Sequence, residues 1–185
     1  MSTSNPKRNF TWFICAAVFA ASVLFFVRPV SAQTDWENDW TEVARSSLGL
    51  WGTFTKLSYH GMAYLGDDRV LLYGGKDSGY NSNTSVFDLS TDSWYLMENL
   101  TEYPDCRVHM GMAHIGGDNV LLYGGGRDGS VYDHTWIYDD SENRWTRMYP
   151  QTNPGRRTDH AIAYIGGDKV LLFGGVVREG ERGEC

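Results

Sequence analysis

The chain has 185 residues, with 16 lysines and arginines against 23 aspartates and glutamates and a formal net charge of −7. That acidic balance repels phosphate backbones and sets nucleic acid aside as a partner. Glycine is plentiful at 21 residues, aromatics make up 14% and proline is scarce at 5, which suits many short strands joined by glycine turns.

The N-terminus reads as an export signal. Lys7 and Arg8 precede an apolar run from Phe10 to Val27, followed by Arg28-Pro29 and then Val30-Ser31-Ala32. A basic start, an apolar middle and small residues at the −3 and −1 positions describe a secretory signal peptide, residues 1–32, cut after Ala32. The rival is an uncleaved signal anchor, because about eighteen apolar residues can barely span a bilayer. Val-Ser-Ala and Arg28-Pro29 favour cleavage, so the mature protein is expected to be secreted, extracellular or periplasmic, without a membrane contact. Cleavage removes Lys7, Arg8, Arg28 and no acid, leaving 13 basic side chains against 23 acidic ones and a charge of −10. Cys15 leaves with the signal, while Cys106 and Cys185 stay, an even pair that an oxidising compartment permits to form one disulfide.

Residues 33–56 form a separate N-terminal segment. Trp36, Trp40, Val43, Ala44 and Leu48 fall at helical spacing, with Thr34 or Asp35 available as N-cap. Trp40-Thr-Glu-Val and Phe54-Thr-Lys-Leu also resemble the later Trp145-Thr-Arg-Met, the pattern of an outer strand. A short helix followed by a strand near 54–57 is expected.

From residue 57 the sequence repeats itself. Gly61-Met-Ala-Tyr-Leu-Gly-Asp-Asp-Arg-Val-Leu-Leu-Tyr-Gly-Gly75 returns as Gly111-Met-Ala-His-Ile-Gly-Gly-Asp-Asn-Val-Leu-Leu-Tyr-Gly-Gly125 and again from Ala161 to Gly175, offset by 50 residues each time without a gap. A fixed long period is the signature of a repeat architecture. Within each block two runs of β-formers flank Gly-Asp-Asp or Gly-Gly-Asp, the positive-φ residues of a tight hairpin. Val70-Leu71-Leu72-Tyr73 is apolar without alternation, so both faces of that strand are expected to be covered. Gly74-Gly75, Gly124-Gly125 and Gly174-Gly175 remove side chains where another backbone passes or φ turns positive. Thr84-Ser-Val-Phe-Asp88 and Thr135-Trp-Ile-Tyr-Asp139 follow as third strands. In both, a tryptophan of the fourth strand (Trp94, Trp145) stands six residues after the aspartate.

Four antiparallel strands per roughly fifty residues make the blade of a β-propeller. The Gly-Gly pairs, the aromatic-Asp pairs at 87–88 and 138–139, and Trp94 and Trp145 resemble the kelch repeat over about residues 57–175. The resemblance implies blades packed around a central channel. The expected fold is an all-β, partial kelch-type propeller of about two and a half blades, over about 57–106, 107–156 and 157–185, with the ring not closed. The mature chain, 185 less 32 residues, amounts to about three repeats, fewer than the roughly four to eight blades of closed propellers. A fragment of a longer propeller or a truncated reading frame is therefore expected, or, less favoured, a chain that completes its ring by self-association, since the open edge at Val170–Phe173 invites pairing with another chain.

Alternating strand direction sorts the loops onto two faces. The loops 76–83, 126–133 and 176–185 share a face with the segments before each first strand. The candidate ligand-binding residues there are Lys76, Tyr80, Arg107, His109, Arg127, Tyr132, Arg157 and His160, with Arg156 beside them. Clustered cations on an acidic protein suit carboxylates or acidic partner loops. The competing reading is structural, with Arg107 and Arg157, in matched positions, tying neighbouring blades together. Cys106 and Cys185 lie on this face and are a candidate disulfide. His60, His109 and His160 lack the short spacing of a zinc motif, and Asp67, Asp68, Asp118 and Asp168 read as hairpin residues, so neither a metal nor another cofactor is expected.

Trp94, Trp145, Tyr73, Tyr123 and Phe173 repeat in register and read as core. No Ser/His/Asp or paired-carboxylate arrangement stands out. The resemblance also implies an alternative, since kelch propellers include a copper oxidase of galactose and a periplasmic sialic-acid mutarotase. The copper set of the oxidase, with its cysteine-linked tyrosine, cannot be placed on these residues. A binding module for a protein or carbohydrate ligand is the expected role, on fold analogy. Expression in a host that processes export signals is expected to yield a polypeptide beginning at Gln33, and an intact-mass measurement that retains residues 1–32 would refute the cleavage.

Overall fold

The computed structural model describes residues 57–177 together with three short N-terminal strands. Those three, β1 (Trp12–Ile14), β2 (Leu24–Val27) and β3 (Trp40–Val43), form an antiparallel sheet in the order β1-β2-β3. The helix expected through Trp40 and Val43 gives way to this strand. Thr41 and Val43 are β-branched and stiff at χ1, and residues 40–43 pair with Leu24–Val27. Two of the three strands lie in the segment read as a signal, so cleavage after Ala32 would separate them from β3. The strand expected near 54–57 falls mostly outside the described residues.

The first blade is β4 (Gly61–Gly66), β5 (Arg69–Tyr73), β6 (Thr84–Asp88) and β7 (Ser93–Leu96), hydrogen-bonded in that order. Asp67 and Asp68 take φ of 47° and 59° in the β4–β5 turn, a conformation that the short polar aspartate tolerates. At the β6–β7 turn the Asp88 carboxylate accepts from the Ser90 amide at 2.8 Å and the Ser90 hydroxyl at 2.6 Å. That local bond replaces the strand ladder with a turn and explains the aromatic-Asp-Ser pattern. The second blade repeats the plan with β8 (Gly111–Gly116), β9 (Asn119–Tyr123), β12 (Thr135–Asp139) and β13 (Arg144–Met148). Its loop between β9 and β12 folds a further two-residue hairpin, β10 (Gly126–Arg127) and β11 (Ser130–Val131). A third unit, β14 (Thr158–Gly166) paired with β15 (Lys169–Val176), completes the described residues. Among them every regular element is a strand, and the sheets do not close a ring.

The core lies between the first two blades. Because side chains alternate across a strand, Leu71 and Tyr73 of β5 share a face with Leu65 and Val86. That face packs against Val120, Leu122, Trp136, Tyr138 and Trp145 of the second blade. Each such side chain contributes roughly 1.5–3 kcal/mol when fully buried. Trp145 sits edge-on to Tyr73 with ring centroids 5.1 Å apart, and its indole N–H donates to the Thr84 hydroxyl of the first blade at 2.9 Å. The tryptophan is thus a wedge between blades, its one polar atom satisfied across the joint. On the third unit the repeat-equivalent face is bare: Leu171 is 56% and Phe173 80% exposed, where Leu71 and Tyr73 are both at 0%.

The Gly-Gly pairs follow the same logic. Gly74 and Gly75 have φ of 66° and 98°, Gly124 and Gly125 of 67° and 84°. A Cβ on Gly74 would lie 2.6 Å from the Arg107 carbonyl oxygen, and one on Gly124 would lie 2.6 Å from that of Arg157. Gly174 shares the left-handed φ but has nothing within 4 Å. Gly174→Ala is therefore expected to cost only the left-handed penalty of about 1–2 kcal/mol. Gly124→Ala is expected to cost roughly 2 kcal/mol more, from the backbone overlap, and equal denaturation midpoints for the two variants would contradict this packing.

Candidate functional site

Ser58 bridges to Lys76 and Val108 to Gly126, so the segments that lead into each innermost strand lie at the same end of the molecule as the second-to-third-strand loops. Residues 59, 109 and 159, one repeat apart, occupy one geometric position there. Their φ values are 58°, 59° and 58°. The His109 amide donates to the Tyr59 carbonyl and the Asp159 amide to the His109 carbonyl, both at 3.1 Å. The backbone thus forms a rung-to-rung ladder at the mouth of the inner strands. The side chains follow it: the Tyr59 and His109 rings stack at 4.3 Å, and His109 Nδ1 lies 2.5 Å from Asp159 Oδ1. Tyr59 is 57% exposed, so the ladder is presented to solvent.

Below this rim the matched arginines act as clamps. The Arg107 guanidinium donates from Nε to the Asp105 carbonyl at 3.0 Å and from Nη1 to the Gly124 carbonyl at 3.0 Å. Arg157 repeats the pattern, Nε to Gly155 at 3.4 Å and Nη1 to Gly174 at 3.1 Å, and Nη2 reaches the Pro154 carbonyl. Arg107 is fully buried and stacks over the Tyr132 ring at 4.7 Å, which is covered in turn by His134 at 5.2 Å. Tyr73 and Tyr123 donate across the joints to the carbonyls of Pro104 and Gly155, and burial pushes the Tyr123 phenol up to about 12.

Among the residues expected to meet a ligand, then, Arg107, Tyr132 and His160 are interior, withdrawn from solvent by their structural contacts. Arg157 is half-buried and held by carbonyls. Lys76 lies over the Tyr80 ring at 4.6 Å, and the Tyr80 hydroxyl accepts from the Asp128 amide at 3.4 Å, joining the loops of blades one and two. Arg127 donates to Cys106 Sγ at 2.6 Å. Cys106 is a free thiol, and Cys185 lies outside the described residues. No three His, Cys, Asp or Glu side chains converge to hold a metal ion among the described residues.

A cavity of about 300 Å³ is lined by Asp105, Ser130, Val131, Tyr132, Asp133, His134, Arg147 and Arg156. At the opposite end Arg69 pairs with Asp140 of the next blade at 2.6 Å. Burial raises the Asp140 carboxyl above its ordinary range even with that cation beside it. No sequence pattern signals that pair, whose members lie 71 positions apart. The rim was legible in principle, by applying the fifty-residue period one position before His60 and His160.

A profile of the KLHDC2/KLHL20/DRC7 Kelch-repeats domain matches residues 37–183. The chain belongs to the kelch-repeat family. A comparison with curated proteins gives no match. As a kelch-repeat domain the chain has the architecture of a protein-interaction propeller module.

Burial, reinforced by Arg147 and Arg107, lowers His134 from 6.5 to about 4, and burial also lowers His60 and His160. Between those values the unfolded chain takes up protons that the fold does not, so stability is lost as pH falls from about 6.5 toward 4. The melting temperature is expected to drop on going from pH 7.5 to pH 5, less steeply in a His134→Phe variant. An identical slope in the variant would show that His134 does not titrate in this way.

Proposed function

We propose that this chain is an exported kelch-type binding module that engages a protein partner with its loop end, centred on the Tyr59–His109–Asp159 ladder. One observation carries the reading. At positions where successive repeats agree, the side chain clamps or fills a joint, as Arg107 and Arg157 do. At 59, 109 and 159 the backbone is the same to within a degree of φ, yet the residues are an aromatic, an imidazole and a carboxylate. A structural job at identical geometry calls for one residue type; three different hydrogen-bonding chemistries side by side suit recognition.

Export rests on the Lys7-to-Ala32 pattern, and the protein class of ligand on the interaction role of kelch domains. Amphipathic Tyr59 beside a polar pair offers the anchor-and-rim composition of protein interfaces. Glycine at all three positions removes the side chains while keeping a left-handed backbone that glycine adopts without strain. In a selection from a displayed peptide library, the domain is expected to enrich binders whose affinity falls at least tenfold in the Tyr59→Gly/His109→Gly/Asp159→Gly variant, with the melting temperature retained. Binders indifferent to that variant would place recognition elsewhere. Binding on a glycan array with none to peptides would instead support a carbohydrate ligand, and turnover of galactose or sialic acid the enzyme alternative.

A further inference from the structure

Among the described residues, strand β15 is bonded on one side only, to β14. The corresponding strands β5 and β9 each take a second antiparallel partner over five residues, Arg69–Tyr73 on β6 and Asn119–Tyr123 on β12. The equivalent five on β15 are Lys169–Phe173; beyond them Gly174 and Gly175 turn to φ of 74° and 92°, while β15 stays paired with β14 as far as Val176. The same unit carries half of the exposed large apolar side chains among the described residues, including Ile165 at 60%, Leu171 at 56% and Phe173 at 80%. An unpaired edge flanked by bare apolar surface is a template for another strand.

We propose that a second copy of this chain supplies that strand, with β15 pairing antiparallel to itself across a two-fold axis at Leu171. The five-residue edge is self-complementary. Centred pairing sets Leu171 opposite Leu171, Val170 opposite Leu172 and Lys169 opposite Phe173, so the only charged residue of the run never faces its like. The resulting order β14-β15-β15-β14 is a four-stranded antiparallel sheet, the strand number of each complete blade. Face and edge are continuous with the joints already described. Leu171 and Phe173 stand where Leu71 and Tyr73 receive the second blade, so the surface has the shape and chemistry of a blade contact. A two-fold pairing closes on itself and consumes both open edges at once, which a head-to-tail contact does not.

The test uses the full chain in sedimentation velocity over a wide concentration range. A reversible monomer–dimer equilibrium is expected. Leu171→Arg, which sets two cations face to face on the axis, is expected to raise the dimer dissociation constant at least tenfold. Because Leu171 is exposed in the single copy, the circular dichroism spectrum and melting temperature of the dilute monomer should be unchanged. In a background with the three native cysteines changed to serine, Leu171→Cys is expected to give a disulfide-linked dimer on mild oxidation, since paired residues of antiparallel strands have Cα atoms about 4.5–5.5 Å apart. Val177→Cys, exposed but off the axis, should not. A chain that stays monomeric throughout, a dimer indifferent to Leu171→Arg, or a dimer that the Leu171→Cys substitution fails to link would overturn the proposal.

Discussion

The architecture depends on a single backbone contact, repeated at each joint. The Arg107 carbonyl accepts from the Gly75 amide of the preceding blade at 2.9 Å, and the Arg157 carbonyl from the Gly125 amide at 3.0 Å. The approach is close enough that no Cβ fits on Gly74 or Gly124, and the left-handed turn of those residues aims the amide outward. Each arginine therefore works at both ends. Its carbonyl is fixed to the Gly-Gly of the blade before, and its guanidinium to the Gly-Gly of its own blade. Orienting the carbonyl orients the inner strand that follows, so register passes from blade to blade through the main chain, where side-chain drift cannot loosen it. The aromatic wedge of Trp145 fills the outer part of the same joint, with a hydrogen bond instead of an orphaned indole N–H at its tip.

This division of labour frees the end of the molecule. Once carbonyls, glycines and clamps hold the inner strands, the residues at 59, 109 and 159 share one backbone conformation while their side chains differ. All three such residues accept a left-handed conformation that β-branched residues avoid and that aspartate tolerates better than most. The cost of that conformation, of order 1–3 kcal/mol for each, is offset by the amide-to-carbonyl rungs that join them. Strain held by neighbouring backbone, with side chains that contact one another at a solvent-exposed position, is the kind of outlier from which a functional hypothesis can be drawn.

Much of this was readable from residues alone. The period of fifty, the Gly-Gly pairs and the Asp-to-Trp spacing located both complete blades, and the structural alternative for Arg107 and Arg157 matches the bonds they make. What the sequence obscured was depth. Arg107 and Tyr132 carry the chemistry of surface residues, but the guanidinium stacks on the ring, with His134 as the third layer, and both are withdrawn from solvent together. The small hairpin β10–β11 was likewise hidden, since Gly126-Arg-Asp-Gly-Ser-Val131 is too short for periodicity to register. Trp40–Val43 satisfied a helical spacing by accident, because its tryptophan, threonine and valine are equally a strand's composition. The rim was masked by the histidines. His60 and His160 share a repeat position and His109 does not, which draws attention to the odd residue without disclosing that its true counterparts are Tyr59 and Asp159.

The electrostatics of the loop end change accordingly. Its cations, counted from sequence, suggest a basic patch on an acidic protein. In the fold Arg107 faces carbonyls and an aromatic ring, Arg157 faces three carbonyls, Arg127 faces Cys106 and Asp128, and Lys76 covers Tyr80. A cation committed to oriented carbonyl dipoles holds backbone in place and projects little field beyond it. The loop end is therefore polar and aromatic in character, with the protein's overall negative charge behind it. If the proposed partner binds there, its recognition would rest on the placement of hydrogen-bonding groups more than on long-range attraction. Salt would then alter the rate of encounter less than it would for a basic patch, and specificity would reside in the geometry that the arginine–glycine joints impose on the three rim residues.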